Sequence, residues 1–186
     1  MRYDDVSDQL DEILVTEEQL LARIAELARE IERDYAGQDL LLVGVLKGAV
    51  MVMSDLSRAL TIPITMDWMA VSSYGHGTTS SGVVRILKDL DTDISDRHVL
   101  LVEDIIDTGL TLSWLRDNLM SRGAASVKIF AALRKPDAVK VDIVADYLGF
   151  DIPNKFVVGY GLDYAENYRH LRDVAVLSPR VYAESE

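Results

Sequence analysis

Two hydrophobic periodicities organise the chain. Over residues 16–35, Leu20, Leu21, Ile24, Leu27, Ala28 and Ile31 recur three or four positions apart, the spacing of one apolar helical face. Thr16 followed by Gln19 adds the capping-box pattern that opens such a helix, and Gly37-Gln38-Asp39 ends it. The other pattern is a series of short apolar runs between polar turns, which suits strands buried on both faces of a parallel sheet. It predicts strands over residues 40–46, 63–71 and 83–87, another beginning at Val99, and four more over 127–133, 143–148, 156–160 and 174–177. Two further helices are predicted. Residues 49–60 are apolar almost all round, which predicts a buried helix, and residues 111–122 form a helix stopped by Gly123.

Strand and helix alternate through the middle of the chain, the arrangement of an α/β fold with a central, mostly parallel sheet flanked by helices. The 186 residues suffice for one domain with a substantial core, and no linker or internal repeat divides them. Residues 72–82, S-S-Y-G-H-G-T-T-S-S-G, are long, small and polar, as expected of a functional lid loop or a disordered segment.

Composition narrows the chemistry. With no cysteine, disulfides, thiolate nucleophiles and Cys-ligated zinc are excluded, and His76, His98 and His170 lack metal-ligand spacing. A net charge of −12 argues against a nucleic-acid binder, which needs clustered Lys and Arg. No apolar stretch is long enough for a bilayer and the acidic start M-R-Y-D-D-V-S-D is unlike a signal peptide, so no membrane partner and a cytoplasmic location are expected.

One segment concentrates candidate functional groups. Residues 99–111 read V-L-L-V-E-D-I-I-D-T-G-L-T: a buried strand, two adjacent carboxylates, a third carboxylate, then a small turn entering a helix. These groups therefore lie at the carboxyl end of a strand, where open α/β sheets bind ligands. Asp107, Thr108, Gly109, Leu110 and Thr111 offer backbone amides, two hydroxyls and a helix amino terminus to a phosphate. Glu103 and Asp104 precede that turn, placed to accept hydrogen bonds from sugar hydroxyls. A second anion site is expected where strand 40–46 runs into Leu46-Lys47-Gly48, a cation beside flexible backbone at a helix start. No Walker pattern is present, which sets aside a P-loop NTPase.

The string E-D-I-I-D-T-G-x-T resembles the phosphoribosyl pyrophosphate (PRPP) binding motif of type I phosphoribosyltransferases, in the form carried by the hypoxanthine-guanine group. The resemblance covers about residues 40–177 and implies that family's fold. It implies a single domain over 1–186, with a core of about 37–150 and a small hood over the base site from about 1–15 and 151–186.

The resemblance also implies site roles. PRPP would be held by Glu103, Asp104, Ile106 and the Asp107–Thr111 turn, and at its pyrophosphate end by Leu46, Lys47, Gly48 and Arg169 of N-Y-R-H-L. Ser73-Tyr74 matches the Ser-Tyr pair of the family's flexible lid. In that family the equivalent of the Leu46-Lys47 bond can adopt a non-proline cis form, which the sequence leaves open here. Lys135 in A-L-R-K-P resembles the lysine on the purine carbonyl, and Phe156-Val157 the stacking aromatic and its edge-reading neighbour. Asp163 resembles a carboxylate at the purine site associated with Mg²⁺, for which Glu103 and Asp104 are the other candidate ligands. Asp107 would be the general base toward the purine.

The activity implied is transfer of a phosphoribosyl group from PRPP to a 6-oxopurine, in a homodimer or homotetramer. The rival readings are a regulator that keeps this fold but binds RNA, and a xanthine- or pyrimidine-specific transferase.

Overall fold

The computed structural model describes residues 1–73 and 84–183. Tyr74 and the remainder of the predicted lid loop, residues 75–82, lie outside them. In chain order the elements are β1 (Leu10–Val15), α1 (Glu17–Asp34), β2 (Leu40–Leu46), α2 (Val50–Ala59), β3 (Ile64–Ser73) and β4 (Val84–Lys88). They continue as β5 (His98–Ile106), α3 (Leu110–Ser121), β6 (Ser126–Arg134), β7 (Tyr147–Asp151), β8 (Val157–Val158), β9 (Val174–Leu177) and α4 (Pro179–Ala183).

Six strands form one sheet in the order β4-β3-β2-β5-β6-β7. All its pairings are parallel except β3 with β4. Alternate residues of the central strands feed opposite cores, the period-two rule of a pleated strand. Leu40, Leu42, Leu100, Val102 and Phe130 pack with Leu20, Ile24 and Leu27 of α1 and Val52, Met53 and Leu56 of α2. Leu41, Val43, Leu101 and Ile129 pack with Leu112, Leu115 and Leu119 of α3. The predicted α/β class and mostly parallel sheet are therefore found, with helices on both faces. No helix among the described residues is long and apolar enough to cross a membrane.

A smaller antiparallel sheet, ordered β1-β9-β8, joins the two ends of the chain. Val15, Val157, Val174 and Val176 extend the first core into it, while Leu10, Val158, Ala175 and Leu177 form a cluster of their own. Strand β1 is not predicted from sequence. Its pairing with β9 shifts register twice, so its buried positions do not alternate as a regular strand's would.

Four other expectations are corrected. The strand expected over 143–148 is β7, which begins at Tyr147, because the Asp146 carboxylate accepts the Ile129 backbone N–H at 2.8 Å and takes the bond that a strand partner would have made. The run 156–160 yields only Val157–Val158, since Gly159, Tyr160 and Gly161 turn with φ of 95°, 51° and 101°. Ser72 and Ser73 belong to β3 and pair with Arg85 and Val84, so the loop begins after them. Helix α2 is buried on one face only, through Val52, Met53 and Leu56, and Val50 is exposed.

Candidate active site

Because β2, β5 and β6 run parallel, their carboxyl ends share one edge, and the turns that follow them meet there. At the end of β5 the apolar run gives way to Glu103 and Asp104. Burial and the neighbouring Asp104 push the Glu103 carboxyl well above the ordinary range. Burial likewise raises Asp104 to about 6, against the opposing pull of backbone N–H groups that hydrogen-bond to it. Two adjacent carboxylates held in this way have a standing demand for cationic or hydrogen-bond-donating partners.

Gly109 then turns with φ of 78° to start α3. A Cβ at Gly109 would lie 2.7 Å from Ile143 Cγ2, so both conformation and space require glycine there. A cavity of about 130 Å³ lies against this turn, lined by Glu103, Ile105, Ile106, Asp107, Thr108, Gly109, Thr111 and Leu112.

A larger cavity, about 340 Å³, adjoins it. Val45, Leu46, Lys47 and Gly48 from the end of β2 line it, with Glu103 and Asp104 from β5, Val71 from β3, and Val157, Leu162, Asp163 and Arg169 from the C-terminal segment. Glu103 lines both cavities. The Leu46-Lys47 peptide bond is cis. These two glycines have no room for a side chain: a Cβ on Gly48 would sit 1.7 Å from Asp104 Oδ2, and one on Gly161 would sit 1.9 Å from the Gly48 carbonyl oxygen.

Arg169 enters from the turn after β8. It donates to the Gly161 carbonyl at 2.8 Å and pairs with Asp163 at 2.8 Å. The other Asp163 oxygen accepts the Glu166 backbone N–H at 2.9 Å. Asp163 is thus bound on both oxygens within its own turn. Among the described residues no three acidic or histidine side chains converge as a metal cage.

On the other side of β5, Lys135 follows β6. Its backbone N–H donates to the Ile106 carbonyl at 2.9 Å, and its buried ammonium donates to Asp107 Oδ2 at 3.1 Å. The sequence-predicted groups therefore assemble into three adjoining places. Lys47, Gly48, Glu103, Asp104, Val157, Asp163 and Arg169 line the larger cavity, Ile106 to Gly109 with Thr111 line the smaller one, and Lys135 joins Asp107. Ser73, Leu110 and Phe156 line neither cavity. Phe156 is 44% exposed, and its ring packs edge-on to Tyr164 at 5.9 Å and against Tyr182 at 5.5 Å.

Sequence reasoning missed Glu166. Its carboxylate accepts from Lys47 Nζ at 3.0 Å and lies 3.3 Å from the Arg169 guanidinium; these two cations hold it below the ordinary carboxylate range. The spacing of Asp163, Glu166 and Arg169 was visible, but the positive φ values of Ala165, Glu166 and Tyr168 that fold them together were not.

Known proteins resemble this chain in sequence and fold. The family model described as a phosphoribosyl transferase domain matches residues 11–165. A hypoxanthine-guanine phosphoribosyltransferase of Mycobacterium tuberculosis is 58% identical over 176 residues, 91% of this chain and 87% of its own. One from Streptococcus agalactiae is 49% identical over 96% of this chain and 99% of its own. The solved structure of a hypoxanthine phosphoribosyltransferase from Staphylococcus aureus superposes with a TM-score of 0.93 at 45% identity, covering 96% of this chain and 97% of that one. By sequence and fold, this chain belongs to the phosphoribosyltransferase family.

Proposed function

We propose that the protein transfers the 5-phosphoribosyl group of PRPP to hypoxanthine, guanine or both, releasing pyrophosphate and forming the purine nucleoside monophosphate. The observation that carries this reading is the pair of adjoining cavities that share Glu103, one against a helix-starting turn and one holding Lys47 and Arg169. Such a layout suits a sugar with a monophosphate at one end and a diphosphate at the other.

In this reading the Asp107–Thr111 turn holds the 5-phosphate through backbone amides, the Thr108 and Thr111 hydroxyls and the start of α3. Ile106 supplies backbone at its edge. Glu103 and Asp104 accept the ribose hydroxyls, whose donation relieves the repulsion between the two acids. Leu46, Lys47, Gly48 and Arg169 receive the leaving diphosphate, and Ser73 and Tyr74 belong to the lid that keeps water from the sugar cation.

The donor set fits Mg²⁺, a hard cation usually held by one or two carboxylates together with substrate oxygens. Glu103, Asp104 and Asp163 would hold it, and when bound it supplies neutralisation of the leaving-group charge. Most of the rate advantage then comes from positioning and preorganised charge.

At the base end, Lys135 and Asp107 stand side by side as donor and acceptor, complementary to a ring carbonyl beside a ring N–H. Lys135 donates to the carbonyl of the 6-oxopurine while Asp107 accepts the imidazole-ring proton as the glycosidic bond forms. Adenine would turn an amino group toward the Lys135 donor. Phe156 and Val157 stack on and edge the base, with Asp163 nearby, and the β1-β9-β8 sheet forms the hood above it. The reading includes a homodimer or homotetramer, supported by the apolar side chains of Val50, Met66 and Leu87 that stand exposed.

A spectrophotometric assay with PRPP and Mg²⁺ against hypoxanthine, guanine, xanthine, adenine and uracil tests this. Turnover confined to hypoxanthine and guanine is expected. No turnover of any base, or equal use of adenine and hypoxanthine, would overturn it.

A further inference from the structure

The pyrophosphate end carries a contact that binding a diphosphate does not require. Glu166 occupies the tip of a tight turn in which Tyr164 and Asn167 exchange backbone hydrogen bonds of 3.2 and 2.9 Å. From there its two carboxylate oxygens reach different cations: Oε2 accepts from Lys47 Nζ at 3.0 Å, and Oε1 lies 3.3 Å from Arg169. Lys47 follows β2 and Arg169 belongs to the C-terminal segment, so this one side chain joins the two walls of the larger cavity. A carboxylate spanning two cations has the charge sign and the divided oxygens of the ligand proposed for them.

We infer that Glu166 is a resident counter-anion for the pyrophosphate site: it occupies Lys47 and Arg169 in the unliganded protein, yields them to the diphosphate of PRPP, and competes with pyrophosphate for them after transfer. The inference rests on the function proposed above.

Two features favour displacement over permanent bridging. The Lys47 and Glu166 side chains are each 65% exposed, so water takes over their contacts when they part. The Asp163–Arg169 pair, 28% and 23% exposed, keeps the arginine in place while Glu166 leaves. Being tethered, Glu166 competes at high effective concentration. Either anion must displace it, and inorganic phosphate recovers less on doing so than a diphosphate, which engages both cations at once. Glu166 thus sets the affinity and selectivity of this end of the cleft, without touching the reacting atoms.

The test is isothermal titration of the full-length protein with inorganic pyrophosphate and, separately, inorganic phosphate, both with Mg²⁺, for wild type and Glu166→Gln. Glu166→Gln is expected to bind pyrophosphate about 3–30-fold more tightly, to gain phosphate binding as well, and to show stronger product inhibition by pyrophosphate. Glu166→Asp, which keeps the charge, is expected to stay within about 3-fold of wild type, and it serves as the comparison if Glu166→Gln folds poorly. Unchanged or weaker pyrophosphate binding in Glu166→Gln, in a protein whose wild type uses PRPP and hypoxanthine, overturns the counter-anion. A wild type that turns over no base overturns the proposed function instead, and tighter pyrophosphate binding by Glu166→Gln would still support the competition.

Discussion

Both ends of the cleft hold a lysine paired with a carboxylate, and in the proposed function the two pairs serve opposite purposes. At the base end, Lys135 and Asp107 follow adjacent strands, their segments are tied by the Lys135 N–H to Ile106 carbonyl bond, and only 10% of the lysine side chain is exposed. At the pyrophosphate end, Lys47 and Glu166 come from distant segments and both are largely open to water. A pair whose lysine is buried, though its carboxylate is 52% exposed, and whose two segments are joined by a backbone hydrogen bond keeps its shape, which in the proposed function lets it read the outline of a base. An exposed pair with one member on a turn can be parted at little cost. In the proposed function the same chemistry thus gives selectivity in one place and exchange in the other.

The comparison breaks most severely at Asp107. Asp107→Asn keeps the size of the side chain and removes its basicity, so turnover is expected to fall by ~10²–10⁴-fold while PRPP binding is retained. Stopped-flow turnover alongside PRPP titration checks this, and a near-normal rate would remove the general base from Asp107. Lys135→Ala comes next. Losing a charged donor to the purine carbonyl is expected to lower kcat/KM for hypoxanthine by about 10–100-fold and to narrow the preference over adenine. Steady-state kinetics with both bases decides it, with an unchanged ratio counting against Lys135 as the reader.

The smallest expected effect concerns the acids beneath the cations. With Asp104 raised to about 6 by burial, this carboxyl binds more protons in the folded, metal-free protein than in the unfolded chain between roughly pH 4 and 6. The contribution of Asp104 to stability is therefore expected to fall as pH rises through that window. Asp104→Asn removes part of this penalty, and thermal melts at neutral pH in the presence of chelator should show a Tm higher by about 2–6 °C. Equal melting temperatures across the pH range would show that Asp104 carries no such penalty.

How much of this was legible in the sequence depended on how local each feature is. Strands β2 and β9 match the predicted runs because doubly buried strands are continuous apolar stretches, and the helix face of Leu20, Ile24, Leu27 and Ile31 is buried as its spacing implies. Glu103 to Thr111 were legible as a candidate site because strand, turn and helix start lie within a single segment. Strand β1 escaped notice because its bulges interrupt alternation, and β7 was shifted because Asp146 competes as a hydrogen-bond acceptor. Glu166 was invisible for a different reason. Its role depends on left-handed backbone at non-glycine residues and on a lysine over a hundred positions earlier, neither of which leaves a periodic trace.

The close backbone approach of Gly48 and Gly161 bears on how this cleft can change over evolutionary time. Neither position can gain even a methyl group without moving Asp104 or the opposing backbone. Segments far apart in sequence are therefore constrained together, because a larger residue at Gly161 demands relocation of the Gly48 backbone and one at Gly48 demands relocation of the Asp104 carboxylate. The base end carries no matching restriction at exposed Phe156, whose ring can be exchanged without displacing backbone. Under the proposed roles, new acceptor preferences are open to single substitutions, while the floor at Gly48 and Gly161 changes only by coordinated ones.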